Sequence, residues 1–437
     1  MRPFRPWRIV HVDLADGITE LERDDTHDAA LIVFWYGDLA LGEARVGQAA
    51  LPITRAQMAE HAARAIAPAV GDWTIGRGFE APLPASAALN ESRHQPASLA
   101  ALTALGRPLA TLPAALRART RAETRPRLTV VVCTRDRPEA LAKCLRGLQA
   151  STEPPDEIVV VDNAPRTDAA RQVVEREPGV VYVAEPRPGL SCARNAGLKA
   201  AGSELVGFTD DDVVVHPTWT ARVRDVMSDP SVTASTGLVL PMELSTPSQV
   251  YFETVFGGFA QGYRRLVFDS AFFDDMRAYG VPVWSIGAGA NMAFRREVFG
   301  EVGGFDERLG AGASGCSEDS EMWYRLLSAG RACVYDPRPV VFHYHRSDWP
   351  GLEQQMRLYM QGHVAALLVQ YANHGDRGNL WRLVRILPGY YAMRFLRRLR
   401  RAPGSVPSTL GSEVLGALQG LRYYAAHRRD PGAPALE

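Results

Sequence analysis

Three apolar runs rich in β-branched residues end, one after another, on polar clusters. Leu128-Thr129-Val130-Val131-Val132-Cys133 leads into Thr134-Arg135-Asp136, Glu157-Ile158-Val159-Val160-Val161 into Asp162-Asn163, and Leu205-Val206-Gly207-Phe208-Thr209 into Asp210-Asp211-Asp212. Continuous runs of this kind belong to strands buried on both faces, the condition inside a parallel sheet. Between them lie stretches with helical patterning, Glu139 to Gln149, Thr167 to Arg176 and Ser191 to Ala201, and a shorter strand at Val180 to Ala184. The β-α-β-α-β-α-β order predicts an open α/β sheet, mostly parallel and flanked by helices. In such sheets functional groups gather beyond the carboxyl ends of the strands. Three polar clusters at that edge therefore mark a candidate site.

The aspartate triplet carries the most chemistry. Like charges this close repel, and they stay ionised when a cation sits among them. Hard oxygen ligands favour Mg²⁺ or Mn²⁺, with a substrate diphosphate completing the shell. Taken alone, the triplet reads equally as an acidic turn that caps the next helix. No GxGxxG follows the first strand and no GxxxxGK[ST] occurs, which counts against a dinucleotide-binding dehydrogenase and a P-loop NTPase.

The rest of the chain bounds these readings. Its 437 residues predict two or three units. The 49 basic and 49 acidic residues balance, so no global field favours nucleic acid, and no nucleic-acid partner is expected. Five scattered cysteines lack CxxC spacing, which excludes a disulfide framework or zinc site and predicts a reducing cytoplasm. Asp13 and Asp16 interrupt the start before an apolar h-region forms, so no signal peptide is expected, and no stretch approaches the ~20 apolar residues of a membrane span.

Residues 1–122 read as a small α/β accessory domain with a linker. Arg8 to Val12 is a strand. Ala30 to Tyr36 and Leu39 to Val46 form a hairpin around Gly37-Asp38, and Thr54 caps a helix to Ala67. The stretch 81–122, rich in Ala, Pro, Leu and Arg, reads as a connection with short helices. Residues 351–437 read as a helical extension. Within it, Arg394 to Arg401 interleaves arginines with apolar residues, a pattern that suits contact with an anionic membrane or cover for the sheet.

Together the motifs of about residues 128–350 resemble an inverting glycosyltransferase of family 2, which implies a GT-A glycosyltransferase domain over residues 123–350. The resemblance rests on Val130 to Pro138, Val159 to Asn163, Gly189 to Gly197, the aspartate triplet, Gly287 to Arg296, Gly303-Gly304-Phe305-Asp306, Glu318-Asp319 and His343-Tyr344-His345. It implies transfer of a sugar from a nucleoside diphosphate donor, UDP by default, to a hydroxyl of a carbohydrate, lipid-linked or small-molecule acceptor. It implies Mn²⁺ or Mg²⁺ held by Asp210, Asp212 and His343, with His345 as the second choice of histidine and Asp211 kept among the donor-binding residues. Asp162 faces the nucleobase, Thr134 and Arg135 line its pocket, and Arg194 lies on the nucleotide side. Asp319 is the expected base, Glu318 its helper, and Trp284 a platform for a sugar ring. The loop Gly310 to Gly315 is expected to close over the donor. The aromatic segment 242–284 reads as an acceptor cleft or as ordinary core. A nucleotidyltransferase and a non-catalytic nucleotide-sugar-binding module are the competing readings. Thr134 to Pro138 stands where a nucleotidyltransferase has a Gly-rich basic loop, and the presence of Asp319 favours turnover.

Overall fold

The computed structural model describes residues 4–75, 109, 112, 125–399 and 408–435. Strands β1 (Trp7–Asp13), β2 (Ala29–Tyr36) and β3 (Leu39–Gly47) form a three-stranded sheet in which β1 and β2 are parallel and β2 and β3 make the expected hairpin. Gly37 turns the hairpin at φ +62°, a left-handed conformation that only glycine adopts without cost. Helix α1 (Arg55–Ile75) starts as the sequence predicts. The Gln57 N–H donates to Thr54 Oγ1 at 3.3 Å and the Thr54 N–H donates to Gln57 Oε1 at 2.9 Å, a reciprocal cap. The reading of 81–122 lies outside the described residues, save Leu109 and Leu112, which are buried with this unit's core.

The large sheet contains β4 (Leu128–Thr134), β5 (Glu157–Asn163), β6 (Val180–Glu185), β7 (Leu205–Asp210), β8 (Val213–Val215), β9 (Val232–Pro241), β10 (Leu266–Phe268), β11 (Asn291–Arg295) and β12 (Ala332–His343). Its order is β10-β12-β9-β11-β7-β4-β5-β6, with β8 paired to β12. The run β7-β4-β5-β6 is parallel, as the β-branched pattern requires. Strand β11 enters antiparallel between β7 and β9.

Alternation explains why the parallel strands are apolar throughout. Val131 and Cys133 of β4 face one core, with Ala193 and Leu198 of α4, while Val130 and Val132 face the other, with Leu141 and Leu145 of α2. These helices are α2 (Pro138–Gln149) and α4 (Leu190–Ala200); α3 (Ala169–Val174) and α5 (Trp219–Met227) complete the cover. Helix α6 (Glu318–Ser328) precedes β12.

The three-stranded sheet does not stand apart. Leu31, Val33 and Trp35 of β2 share a core with Leu238 and Leu240 of β9 and Val340 of β12. The backbone of Trp7 donates to Leu244 at 2.9 Å. Beyond β12 lie α7 (Trp349–His374), α8 (Leu387–Leu399) and α9 (Leu410–His427). Gly420 lets α9 approach α7 closely, since a Cβ there would stand 2.6 Å from the Gln361 carbonyl oxygen. Among the described residues no helix is long and apolar enough to cross a membrane.

Gly197 sets the distance between α4 and the sheet. A Cβ at this position would clash with Val131 Cγ1 and stand 3.3 Å from Val161 Cγ2, both on fully buried valines. Gly197→Ala gains about 1 kcal/mol of helix propensity, but overpacking of a dense core costs about 1–3 kcal/mol. The expected result is a net loss in a urea denaturation midpoint. A more stable variant would show that α4 can lift without cost.

Candidate active site

The site is built where β7 ends. Strand β7 ends at Asp210, and Asp211 and Asp212 form the turn into β8. Asp211 is buried, and accepts from Thr134 Oγ1 at 2.8 Å and Arg137 Nη1 at 3.0 Å. Both of its oxygens are thus engaged with the β4 exit. Thr134, expected in a base pocket, spends its hydroxyl on this contact. Asp210, Asp212 and His343 form the open group, with one potential ligand atom from each lying within 4.8 Å of the others.

Sheet register brings His343 to the aspartates. Strand β8 pairs antiparallel with β12, opposing Val213 to His343, and the Tyr344 N–H donates to the Asp212 carbonyl at 3.2 Å. His343 Nε2 then lies 3.5 Å from Asp212 Oδ1, and its buried Nδ1 has no hydrogen-bond partner. Burial pushes the imidazole down to about 4, with the Asp212 carboxylate opposing, so it is neutral at neutral pH. His345 goes elsewhere: its Nε2 lies 3.2 Å from Oε2 of the buried Glu253. The structure thus separates two histidines that the sequence left open.

The electrostatics of this group suit a divalent cation. Burial, together with repulsion from Asp212 and Asp211, raises the Asp210 carboxyl to about 7 against the pull of Arg194. Carboxylates in this state are short of positive charge. A neutral imidazole and two carboxylates are a donor set that Mn²⁺ accepts, and carboxylates suit Mg²⁺.

Arg194 lies beneath the acidic group and not on an open nucleotide surface. It is 2% exposed, donates to Glu318 Oε1 at 2.6 Å and stands 3.6 Å from Asp210. The rings of Phe208 and Phe305 flank its guanidinium at 5.9 and 5.5 Å. Glu318 is therefore committed to Arg194. Asp319, at the first turn of α6, makes no ion pair among the described residues; its oxygens accept the Gly289 N–H at 2.9 Å and the Ser320 N–H at 2.6 Å. Ser317, just before this pair, holds φ +74°, a strained conformation for a residue with a side chain.

Asp162 ends β5, almost fully buried, and accepts from Tyr182 Oη at 2.9 Å. Burial raises its carboxyl, opposed by the Tyr182 hydrogen bond. Arg135 is exposed and makes no hydrogen bond or ion pair with the described residues. Trp284 does not offer a bare platform. The Arg382 guanidinium stacks 4.1 Å from its ring centroid and His363 packs edge-on at 5.0 Å. The Gly310 to Gly315 loop is tied at its base, where Leu190 N–H donates to Ala311 at 2.8 Å and Ser191 Oγ to Leu309 at 2.8 Å.

Sequence reasoning gave no role to Arg137, Asn163 or Glu253. Arg137 bridges Asp211 and Asp212, at 3.0 and 3.1 Å. Its position three residues past Thr134 at a strand exit was the available signal. Asn163 accepts from the Gly189 N–H at 2.9 Å and donates to the Arg187 carbonyl at 2.8 Å, shaping the turn before α4. Glu253, deep in an aromatic segment, gave no signal.

Residues 126–361 match the family model described as glycosyltransferase like family 2. The chain belongs to this family, and its α/β sheet flanked by helices is the GT-A fold that the resemblance implied. It is 26% identical over 251 residues to a pre-mycofactocin glycosyltransferase of Mycobacterium tuberculosis, covering 56% of this chain and 48% of that protein. It is 26% identical over 192 residues to a glucosyl-dolichyl phosphate glucuronosyltransferase of Haloferax volcanii, covering 42% and 57%. The chain thus spans about half the length of the curated relatives it matches. Among solved structures, a mannosyltransferase of Pyrobaculum calidifontis, in complex with GDP-Man and Mn²⁺, aligns with a TM-score of 0.41 at 19% identity, covering 73% of this chain and 82% of that one.

Arg194 offers a direct test of the site's internal wiring. Arg194→Met leaves the buried Glu318 and the partly exposed Asp210 without their cation, and breaking a buried pair costs about 3–5 kcal/mol. The double variant Arg194→Met with Glu318→Gln is expected to recover a good part of that loss in a denaturant titration. Additive losses would mean that Glu318 does not depend on Arg194.

Proposed function

We propose that this chain is a metal-dependent inverting glycosyltransferase. It moves a sugar from a nucleoside diphosphate sugar, UDP-linked by default, to an acceptor hydroxyl in a single displacement. The observation that carries this reading is the juxtaposition, through Arg194, of the Asp210–Asp212–His343 group with Asp319, a carboxylate that makes no ion pair among the described residues.

Asp210, Asp212 and His343 would hold Mn²⁺ or Mg²⁺. When bound, the ion supplies Lewis-acid stabilisation of the charge that grows on the departing diphosphate. The chain's own residues do the rest. The acceptor oxygen attacks the anomeric carbon as the bond from that carbon to the diphosphate oxygen breaks. The bonding pair leaves with the nucleoside diphosphate, and the hydroxyl proton passes to the Asp319 carboxylate. Backbone donors from Gly289 and Ser320 hold that carboxylate in orientation while leaving lone pairs free for the proton. Arg194 holds Glu318 in an ion pair and so out of competition for it. Asp162, at the end of β5, is the donor-side carboxylate that would accept from a nucleobase imino N–H. The acceptor, carbohydrate, lipid-linked or small molecule, approaches from the segment 242–284.

A panel of nucleotide sugars with Mn²⁺ or Mg²⁺ tests the reading through release of nucleoside diphosphate and the anomeric configuration of the product. Inverted product is expected, with turnover abolished by chelation. Retained configuration or metal-independent turnover would overturn it. Asp319→Asn is expected to lower kcat by about 10²–10⁴-fold while donor binding stays within a few-fold in calorimetry. In a Mn²⁺ titration without substrate, Asp212→Asn and His343→Ala should weaken binding at least tenfold, and an unchanged affinity would remove them from the ion's shell.

A further inference from the structure

The end of the chain breaks the charge balance of the whole. Between Arg377 and Arg429 the sequence holds eleven arginines, no lysine and a single acidic residue, Glu413. That acid is buried and fully engaged: it accepts from Arg394 and, at 2.6 Å, from Thr409 Oγ1. Among the described residues of this stretch, the charge that faces water is wholly positive.

The same stretch exposes apolar side chains of unusual size. None of the residues of α8 is buried; Phe395 is 54% and Leu399 66% exposed, and Leu396 lies between them. At 100° per residue Ala392, Phe395, Leu396 and Leu399 share one face of α8, and Arg394, Arg397 and Arg398 share the other. Helix α9 adds a second exposed stripe, Val414, Leu418 and Leu421, at spacings of four and three. A single exposed leucine means nothing, but two neighbouring helices with such stripes form a patch that water does not favour.

We propose that this face seats on an anionic lipid bilayer, with α8 lying in the plane of the interface. Its apolar face enters the acyl boundary, and its arginines reach the phosphate level on their flexible stems. Charge complementarity selects this occupant. A nucleic acid would satisfy the arginines and leave Phe395, Leu396 and Leu399 in water. A neutral protein groove would cover the apolar stripe and leave the positive charge unmatched. Helix α8 is also wired to the body of the protein. Arg394 binds Glu413, Glu413 accepts from Thr409, and the Thr409 hydroxyl lies 3.3 Å from Tyr251 Oη, two residues before Glu253. A bilayer-bound α8 therefore holds the 242–284 segment near the lipid surface.

This inference does not rest on the proposed reaction, and its test needs no turnover. The full chain is floated with phosphatidylcholine vesicles, with and without phosphatidylglycerol. It is expected to float with the anionic vesicles and to partition at least tenfold less to the neutral ones. Each of R397S and R398S should lower partitioning roughly fivefold. The triple variant F395S/L396S/L399S should lower it at least tenfold, with its circular-dichroism melting curve unchanged because all three side chains are exposed. Recovery of the wild-type chain free of anionic vesicles would overturn the proposal. So would equal flotation of the triple variant, which would mean attraction by charge alone, or equal binding to neutral vesicles.

Discussion

The guanidinium of Arg194 is the interaction on which the site depends. It is buried between Asp210 and Glu318, with Phe208 and Phe305 at its flanks. Taking Arg194 and Glu318 out of water costs several kcal/mol each, and only close pairing offsets it. What the arrangement secures is register. Arg194 lies on α4, Asp210 ends β7 and Glu318 opens α6, so one side chain fixes segments up to 124 residues apart. The charge does not balance, however. One guanidinium faces two carboxylates here, and Arg137 alone serves both Asp211 and Asp212. The shortfall is the electrostatic reason that the open side of the group attracts a cation.

A second constraint comes from the far side of the sheet. The β8–β12 pairing ends at His343, and this break allows His343 and His345 to part. His345 is held by Glu253, and Arg45 of β3 reaches the same carboxylate at 3.6 Å. Glu43, also on β3, accepts from Tyr263 Oη at 2.9 Å. The His343 and His345 rings lie 5.2 Å apart. The three-stranded sheet thus stands three contacts behind a candidate ligand, through charges that a free-standing accessory unit would have kept in water.

The parallel half of the sheet was legible because β4, β5 and β7 are buried on both faces and must be apolar at every position. Strands β9 and β11 were not. β9 carries Thr233, Ser235 and Thr236 inside the sheet, and β11 has only five residues, so neither makes a run. The pairing of β11 to β9 and to β7 is set by long-range contacts that no local pattern reports. In the site, the aspartate triplet and His343 were visible as chemistry, but their division of labour depended on direction. Asp211 and Asp212 lie in the turn between β7 and β8, where no strand period applies. The Arg194–Glu318 pair and the Arg382 stack on Trp284 join residues about 100 apart in sequence, and each partner looks unattached in the chain.

Asp319 differs from the other acids around Arg194 in one physical respect. Asp210, Asp211, Asp212 and Glu318 each pair with a guanidinium. Asp319 makes no ion pair among the described residues, and its hydrogen bonds come from backbone N–H groups. These orient the carboxylate without a guanidinium bonded to it. The arrangement requires Gly289, because a Cβ there would stand 2.7 Å from Arg194 Nη2 and 3.1 Å from Asp319 Oδ2. One missing methyl group therefore serves both ends of the site. It lets the backbone of Gly289 donate to Asp319, while the carbonyl of the same residue accepts from Arg194 at 3.3 Å. This double contact accounts for a glycine at position 289 and couples the orientation of Asp319 to the ion pair beneath it.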